Sequence, residues 1–337
     1  MTRSIRGVTL VVVVVVASGC SGRERERQEV RGPTVGIERA AGGEPDAGQE
    51  VAGTSERARG EEPTVAREGP SELTWSYPGT KLGRIDVVVS VPDQAVGEGP
   101  FPVLVALHGM GEAMKAPRAG ARGWLDDYEL PTAMRRLRDP PLAEADFHGL
   151  VTDARLRDLN ASLEARPFRG LIVVCPFTPR RIADDRTGGA LRWFGELIVD
   201  EVLPRVRRET PASASPAGID GVSFGGRIAL RTGLRWPEVF GAVASIQAAF
   251  VPGEVGWMAS AARAARARNP RQRLRLLSSN GDGFLPVNLA LSRELERLGV
   301  EHEMLVVPGP HDYVFNRGPG ALEMLIFHDR VLRGEWP

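Results

Sequence analysis

Cysteine is almost absent from this chain: Cys20 and Cys175 are the only two in 337 residues, which excludes a fold stapled by several disulfides. An excess of charge of either sign is missing as well. With 43 basic residues against 43 acidic ones, no global field draws the protein to nucleic acid. The local clusters Arg135, Arg136, Arg138 and Arg263, Arg266, Arg268, Arg271, Arg273 read as solvated helix faces, with an anionic surface or substrate as the alternative. The histidines His148, His302 and His328 show neither i, i+4 nor Cys-paired spacing, so no metal site is expected. Gly109 and Gly111 lack the third glycine of a dinucleotide fingerprint, since Met114 stands in its place. No cofactor is therefore expected, and no internal repeat is present.

Long hydrophobic runs are also lacking. The apolar stretch at 8–16 falls short of the roughly 20 residues that span a bilayer, and it follows the basic start Arg3 and Arg6. With Ala17, Ser18 and Gly19 leading to Cys20, residues 1–20 resemble a bacterial lipoprotein signal, in which Cys20 becomes the lipidated first residue of the exported chain. The rivals are ordinary signal-peptidase cleavage and an uncleaved anchor. Several acyl chains would hold the protein durably at a membrane of the cell envelope, because each buried CH₂ contributes about 0.8 kcal/mol. Residues 21–70 contain no aromatic residue and are rich in Glu, Arg, Gly and Pro, too little apolar surface to offset the cost of ordering, and read as a disordered linker. If Cys20 is lipidated, Cys175 has no partner for a disulfide. It lies inside an apolar strand and reads as a buried small hydrophobe.

The remaining residues, 71–337, suit one α/β domain. Strands are expected at 84–91, 101–107, 171–175, 217–220, 241–246, 274–278 and 304–307, and helices at 193–207, 226–234, 257–267, 287–298 and 321–331. Their alternation implies a mostly parallel sheet covered by helices on both faces, with the strand carboxyl ends along one edge. Residues 112–168 break that rhythm. They form a long excursion carrying Trp124, Tyr128, Phe147 and His148, read either as a lid inserted over the cleft or as a passive surface insertion.

Between the strand ending at 220 and the helix after it stands Gly221-Val222-Ser223-Phe224-Gly225, followed by Gly226. A serine on a sharp strand-to-helix turn needs small neighbours two residues either side, where the backbone folds tightly against itself. Upstream, the strand at 101–107 runs into His108-Gly109-Met110-Gly111. Downstream, 274–278 leads to Asn280-Gly281-Asp282-Gly283, and 304–307 leads to Pro308-Gly309-Pro310-His311. Ser223, Asp282 and His311 follow strand ends in the chain order of one hydrolase class and not of two unrelated others.

These pieces, with LVALHGMG at 104–111, LIVVCPF at 171–177, ELIVDEVLPRV at 196–206, GIDGVSFGGRIAL at 218–230, RWPEVFGAVASIQAAF at 235–250, SSNGDGF at 278–284 and PGPHDYVFNR at 308–317, resemble the esterase branch of the α/β-hydrolase superfamily, which includes esterase D-like and feruloyl esterase-like enzymes. The resemblance spans about 73–331. It implies an α/β-hydrolase fold and a serine hydrolase acting on a small-molecule or cell-surface ester. Two positions depart from the family pattern. Asp220 brings a charge to the strand before the elbow, and Tyr313 stands where Trp is frequent.

In this reading His311 takes the proton of Ser223 during attack and Asp282 fixes the imidazole, while the N–H groups of Phe224 and Met110 meet the oxyanion. Glu254 is the fallback acid, Asp312 is too near His311 to orient it, and His108 supports the oxyanion loop. Trp193, Phe284 and Tyr313 are candidates for substrate binding, with Phe177 and Phe315 as further aromatics that serve equally well as core. Ester cleavage is the leading expectation. A peptidase or acyltransferase of the same chemistry, and a non-catalytic surface binding protein on the same scaffold, are the alternatives.

Overall fold

The computed structural model describes residues 71–93, 99–185 and 187–336. The expected signal with Cys20 and the linker 21–70 lie outside the described residues. Eight strands form one sheet: β1 (Ser71–Thr80), β2 (Gly83–Val91), β3 (Val103–Leu107), β4 (Ile172–Pro176), β5 (Ala217–Gly221), β6 (Phe240–Ile246), β7 (Arg273–Gly281) and β8 (Glu303–Pro310), in the order β1-β2-β4-β3-β5-β6-β7-β8. The first two pairings, β1 with β2 and β2 with β4, are antiparallel, and every later one is parallel. This is the mostly parallel sheet of the α/β-hydrolase fold expected from the sequence.

The central strands β3, β4 and β5 are buried along their whole length, because helices cover both faces of the sheet. Their sequences, VLVAL, IVVCP and AGIDG, are accordingly apolar except where the site begins. Cys175 is buried in β4, and burial pushes its thiol pKa up, which leaves it the inert hydrophobe expected. Strand β1 escaped the sequence reading because it is a polar edge strand with a bulge at Tyr77 to Thr80, and Trp75 is its one buried side chain. The helix expected at 193–207 is continuous in a longer form: Gly189–Glu196, a π-helical turn over Leu197–Val202, then Leu203–Glu209. The wider turn precedes Pro204, which cannot donate to the regular ladder.

The excursion at 112–168 is helical and firmly packed. Short helices at Pro117–Ala121, Gly123–Asp126 and Leu130–Arg138 are followed by the longer Asp153–Ala165. Trp124, Tyr128 and Phe147 are all buried in the core. An ion cluster ties its last helix to the rest of the molecule. Arg155 Nε and Nη2 donate to the two oxygens of Glu323 at 2.7 and 2.6 Å, and Arg275 Nη2 of β7 donates to Glu323 Oε2 at 2.6 Å.

Burial alone would raise the Glu323 pKa, but the two guanidinium groups reverse this and hold it down to about 2. A carboxylate depressed below its unfolded value stabilises the fold fully above that value, near 4.5, and loses its contribution as pH falls through about 2. Glu323→Gln is therefore expected to cost about 3 kcal/mol in urea unfolding at neutral pH, since it leaves buried Arg275 with Glu303, at 3.3 Å, as its remaining carboxylate, and to flatten the acid limb of the stability curve below about pH 4.5. An acid limb unchanged in the variant would show that other carboxylates set it.

Candidate active site

Parallel strands bring their carboxyl ends to one edge of the sheet, and the four expected site loops leave from there: β3 into His108 to Met110, β5 into Ser223, β7 into Asp282 and β8 into His311. Ser223 sits at φ 56°, ψ −115°, a conformation that non-glycine residues rarely hold and that costs about 1 to 3 kcal/mol. The neighbouring backbone enforces it. Ser223 N donates to Ile246 O at 2.8 Å, and Ser223 O accepts from Arg227 N and Ala249 N at 3.1 and 3.0 Å. A Cβ on Gly221 would lie 2.5 Å from the Gly225 carbonyl carbon, and one on Gly225 would run into the carbonyl oxygens of Leu107 and His108. The elbow glycines are thus required by close backbone approach.

The three distant side chains form one hydrogen-bonded chain. His311 Nε2 lies 3.0 Å from Ser223 Oγ, and His311 Nδ1 lies 2.8 Å from Asp282 Oδ1. Asp282 is buried and also accepts from Ser278 Oγ at 2.6 Å and from Phe284 N at 2.9 Å. Burial opposes its charge, yet the bonds from His311, Ser278 and the Phe284 amide outweigh that and hold its carboxyl below the usual range. An ionised Asp282 fixes the tautomer in which Nδ1 carries the proton and Nε2 faces the serine free to accept. Glu254, the fallback acid, is engaged elsewhere, with Arg227 at 3.0 Å and Arg231 at 3.6 Å. Asp312 caps the short helix after it by accepting from Phe315 N at 2.9 Å.

The two expected oxyanion donors each stand at a helix start. Phe224 opens the helix Phe224–Arg235, and Met110 opens the helix Met110–Ala113. The first N–H groups of a helix have no acceptor within it, so both positions offer a donor. His108 beneath them is buried, with Nδ1 on Gly109 O at 2.9 Å and Nε2 accepting from Thr178 N at 2.9 Å. Desolvation lowers its pKa, and both ring nitrogens are occupied in holding the loop.

Of the three candidate substrate-binding residues, two meet the site. The Phe284 ring lies 5.5 Å from the His311 ring, and Tyr313 follows His311 by two residues with 42% of its surface exposed. Trp193 does not meet it, and that expectation is corrected. The buried face of Gly189–Glu196 is Ala190, Leu191, Phe194 and Gly195, which turns Trp193 to the flank beneath Lys81 Nζ at 5.0 Å. There it lines a cleft of about 430 Å³ beside the β1–β2 turn that includes none of Ser223, Asp282 and His311. Phe177 and Phe315 are core.

Other contributors were not read from the sequence. Gln247, buried at the end of β6 with φ 47°, donates Nε2 to Ser279 Oγ at 2.6 Å and to Pro310 O at 2.9 Å, tying the acid loop to the histidine loop. Asp220 has a partner that no local pattern announces: its Oδ2 meets His328 Nε2 of the last helix at 3.2 Å, while its Oδ1 accepts from Gly221 N at 2.7 Å. The carboxylate before the elbow is therefore hydrogen-bonded at both oxygens.

The sheet order and the serine elbow are those of the α/β-hydrolase fold. Residues 177–300 match the family described as putative esterase. Among solved structures, a ferulic acid esterase superposes with a TM-score of 0.56 at 18% identity, over 79% of this chain and 99% of the other. The S-formylglutathione hydrolase FrmB of Staphylococcus aureus gives 0.54 at 15% identity over 77% and 99%. The enterobactin esterase of Shigella flexneri gives 0.51 at 19% over 80% and 60%. At these identities the likeness is one of fold. No curated protein matches the chain in sequence.

Proposed function

We propose that this protein is a serine hydrolase that cleaves carboxylic esters through an acyl-enzyme on Ser223. The observation that carries the reading is the unbroken chain from Ser223 Oγ through His311 to buried Asp282. A serine hydroxyl is a poor nucleophile at neutral pH, so His311 Nε2 accepts its proton as Oγ attacks the ester carbonyl, and Asp282 stabilises the imidazolium that forms. The N–H groups of Met110 and Phe224 receive the oxyanion. His311 then returns the proton to the departing alcohol, water enters, and the same imidazole serves as base for deacylation.

Substrates with apolar acyl or aryl groups fit the surroundings. Met110, Phe284, Tyr313 and Val314 are large hydrophobic residues with substantial exposure, and each stands within three residues of a triad or oxyanion position. The structural relatives named for esterase activity favour esters over peptides or acyl transfer. A graded series of p-nitrophenyl esters and matching anilides tests this: turnover that rises with apolar acyl size, and is far slower on anilides, is expected. Anilide turnover matching that of the esters would instead point to a peptidase. Export and tethering through lipidated Cys20 complete the reading, supported by the basic start, short apolar core and small residues before that cysteine. Cys20→Ala should abolish metabolic incorporation of labelled fatty acid; retained label would remove the anchor.

A further inference from the structure

Beneath the loop that offers Met110 N–H lies a buried carboxylate that the mechanism leaves unused. Glu112 is 1% exposed, and both its oxygens are taken by phenols arriving from different parts of the chain. Tyr128 of the excursion donates to Oε2, and Tyr313 of the histidine loop donates to Oε1 at 2.7 Å. The Tyr128 oxygen in turn accepts from Gly109 N at 3.0 Å. We propose that Glu112 is a positioning residue that locks the oxyanion loop to the histidine loop through these two tyrosines; the proposal rests on the reading of Met110 as an oxyanion donor.

The geometry gives each part a task. Tyr128 engages the Gly109 N–H, which fixes the backbone one residue before Met110. The loop is glycine where the phenols enter: a Cβ on Gly109 would lie 3.1 Å from Tyr128 Oη, and one on Gly111 would lie 2.6 Å from Tyr313 Oη. The excursion packs just as closely, since a Cβ on Gly123 would lie 2.5 Å from Glu112 Cγ. Burial and the neighbouring carboxylate raise the Tyr313 pKa to about 12 and raise that of Tyr128 as well, so both remain donors at neutral pH. A loop held from below and from the side keeps its donor aimed without reorganising during the reaction, and that preorganisation is where such donors gain their effect. The excursion thereby acts on the site as a buttress, and Tyr313 at a position where the family often carries Trp supplies a hydroxyl that Trp could not.

Tyr313→Phe, at a residue 42% exposed, should fold normally and lose the tie across the cleft. With a p-nitrophenyl ester, kcat should fall about 10- to 100-fold while KM changes less than about 2-fold, and affinity for a boronic acid that forms a tetrahedral adduct on serine should fall in parallel with kcat. Glu112→Gln, which can still accept from one phenol, should retain more activity than Glu112→Leu. Wild-type kcat and boronate affinity in both Tyr313→Phe and Glu112→Gln would overturn the proposal, as would losses in kcat that only track losses in thermal stability. Failure of the underlying reading has a separate signature, an absence of Ser223-dependent turnover in the wild-type protein.

Discussion

Ser223→Ala is expected to lower kcat for an activated ester by about 10⁵- to 10⁶-fold while leaving the fold and substrate affinity nearly unchanged. The size of the effect follows from the covalent route: without Oγ there is no acyl-enzyme, and the residual rate reflects only the oxyanion donors and bound water. No helix-capping hydrogen bond depends on the Ser223 side chain, so the elbow should keep its backbone in the variant. His311→Ala should fall to a similar floor, and the double variant should be no worse than either single one, because the residues act as a unit. Additive losses would mean that serine and histidine serve different steps.

Asp282→Asn is expected to cost about 10⁴-fold in kcat at neutral pH. An amide in place of the carboxylate keeps the shape but presents an N–H to His311 Nδ1, which selects the wrong tautomer and turns the Nε2 proton toward Ser223 Oγ. An amide nitrogen in the Oδ1 position, facing His311, also meets the Phe284 N–H, which cannot accept and is left unpaired, whereas Ser278 Oγ at the other oxygen can turn to accept. In the wild type the hydrogen bonds from His311, Ser278 and the Phe284 amide outweigh burial and hold the Asp282 pKa below its usual range, so the carboxylate stays ionised as pH falls and adds no acid step of its own to the pH–rate profile. The rate of the wild type should accordingly rise with pH in a single step. Two acid steps would show that Asp282 titrates in the same range.

Much of this was legible in the sequence, for identifiable reasons. The central strands are buried on both faces and so read as uninterrupted apolar runs, and the elbow is announced by glycines whose Cβ atoms would strike backbone. Glycine and strand-end position suffice to find Ser223, Asp282 and His311 because the parallel sheet brings strand ends together whatever their separation in the chain. Strand β1 was illegible because an edge strand with one buried residue lacks the apolar signal. Trp193 was misplaced because composition says that an aromatic is near a motif but not which way the helix turns it. The supporting residues leave no local trace at all. Glu112 meets Tyr128 across 16 residues and Tyr313 across 201, and Asp220 meets His328 across 108. Each is a single polar residue whose partner is set by tertiary packing, so its burial looks like an error until the partner is seen.

The central claim is that Ser223 is the atom-bearing nucleophile, and active-site labelling tests it most directly. The purified protein treated with a fluorophosphonate and digested should carry one covalent adduct, located on Ser223 by tandem mass spectrometry, and should lose it in Ser223→Ala while still unfolding cooperatively. Folded wild-type protein that remains unmodified, or an adduct on a different residue, would contradict the account.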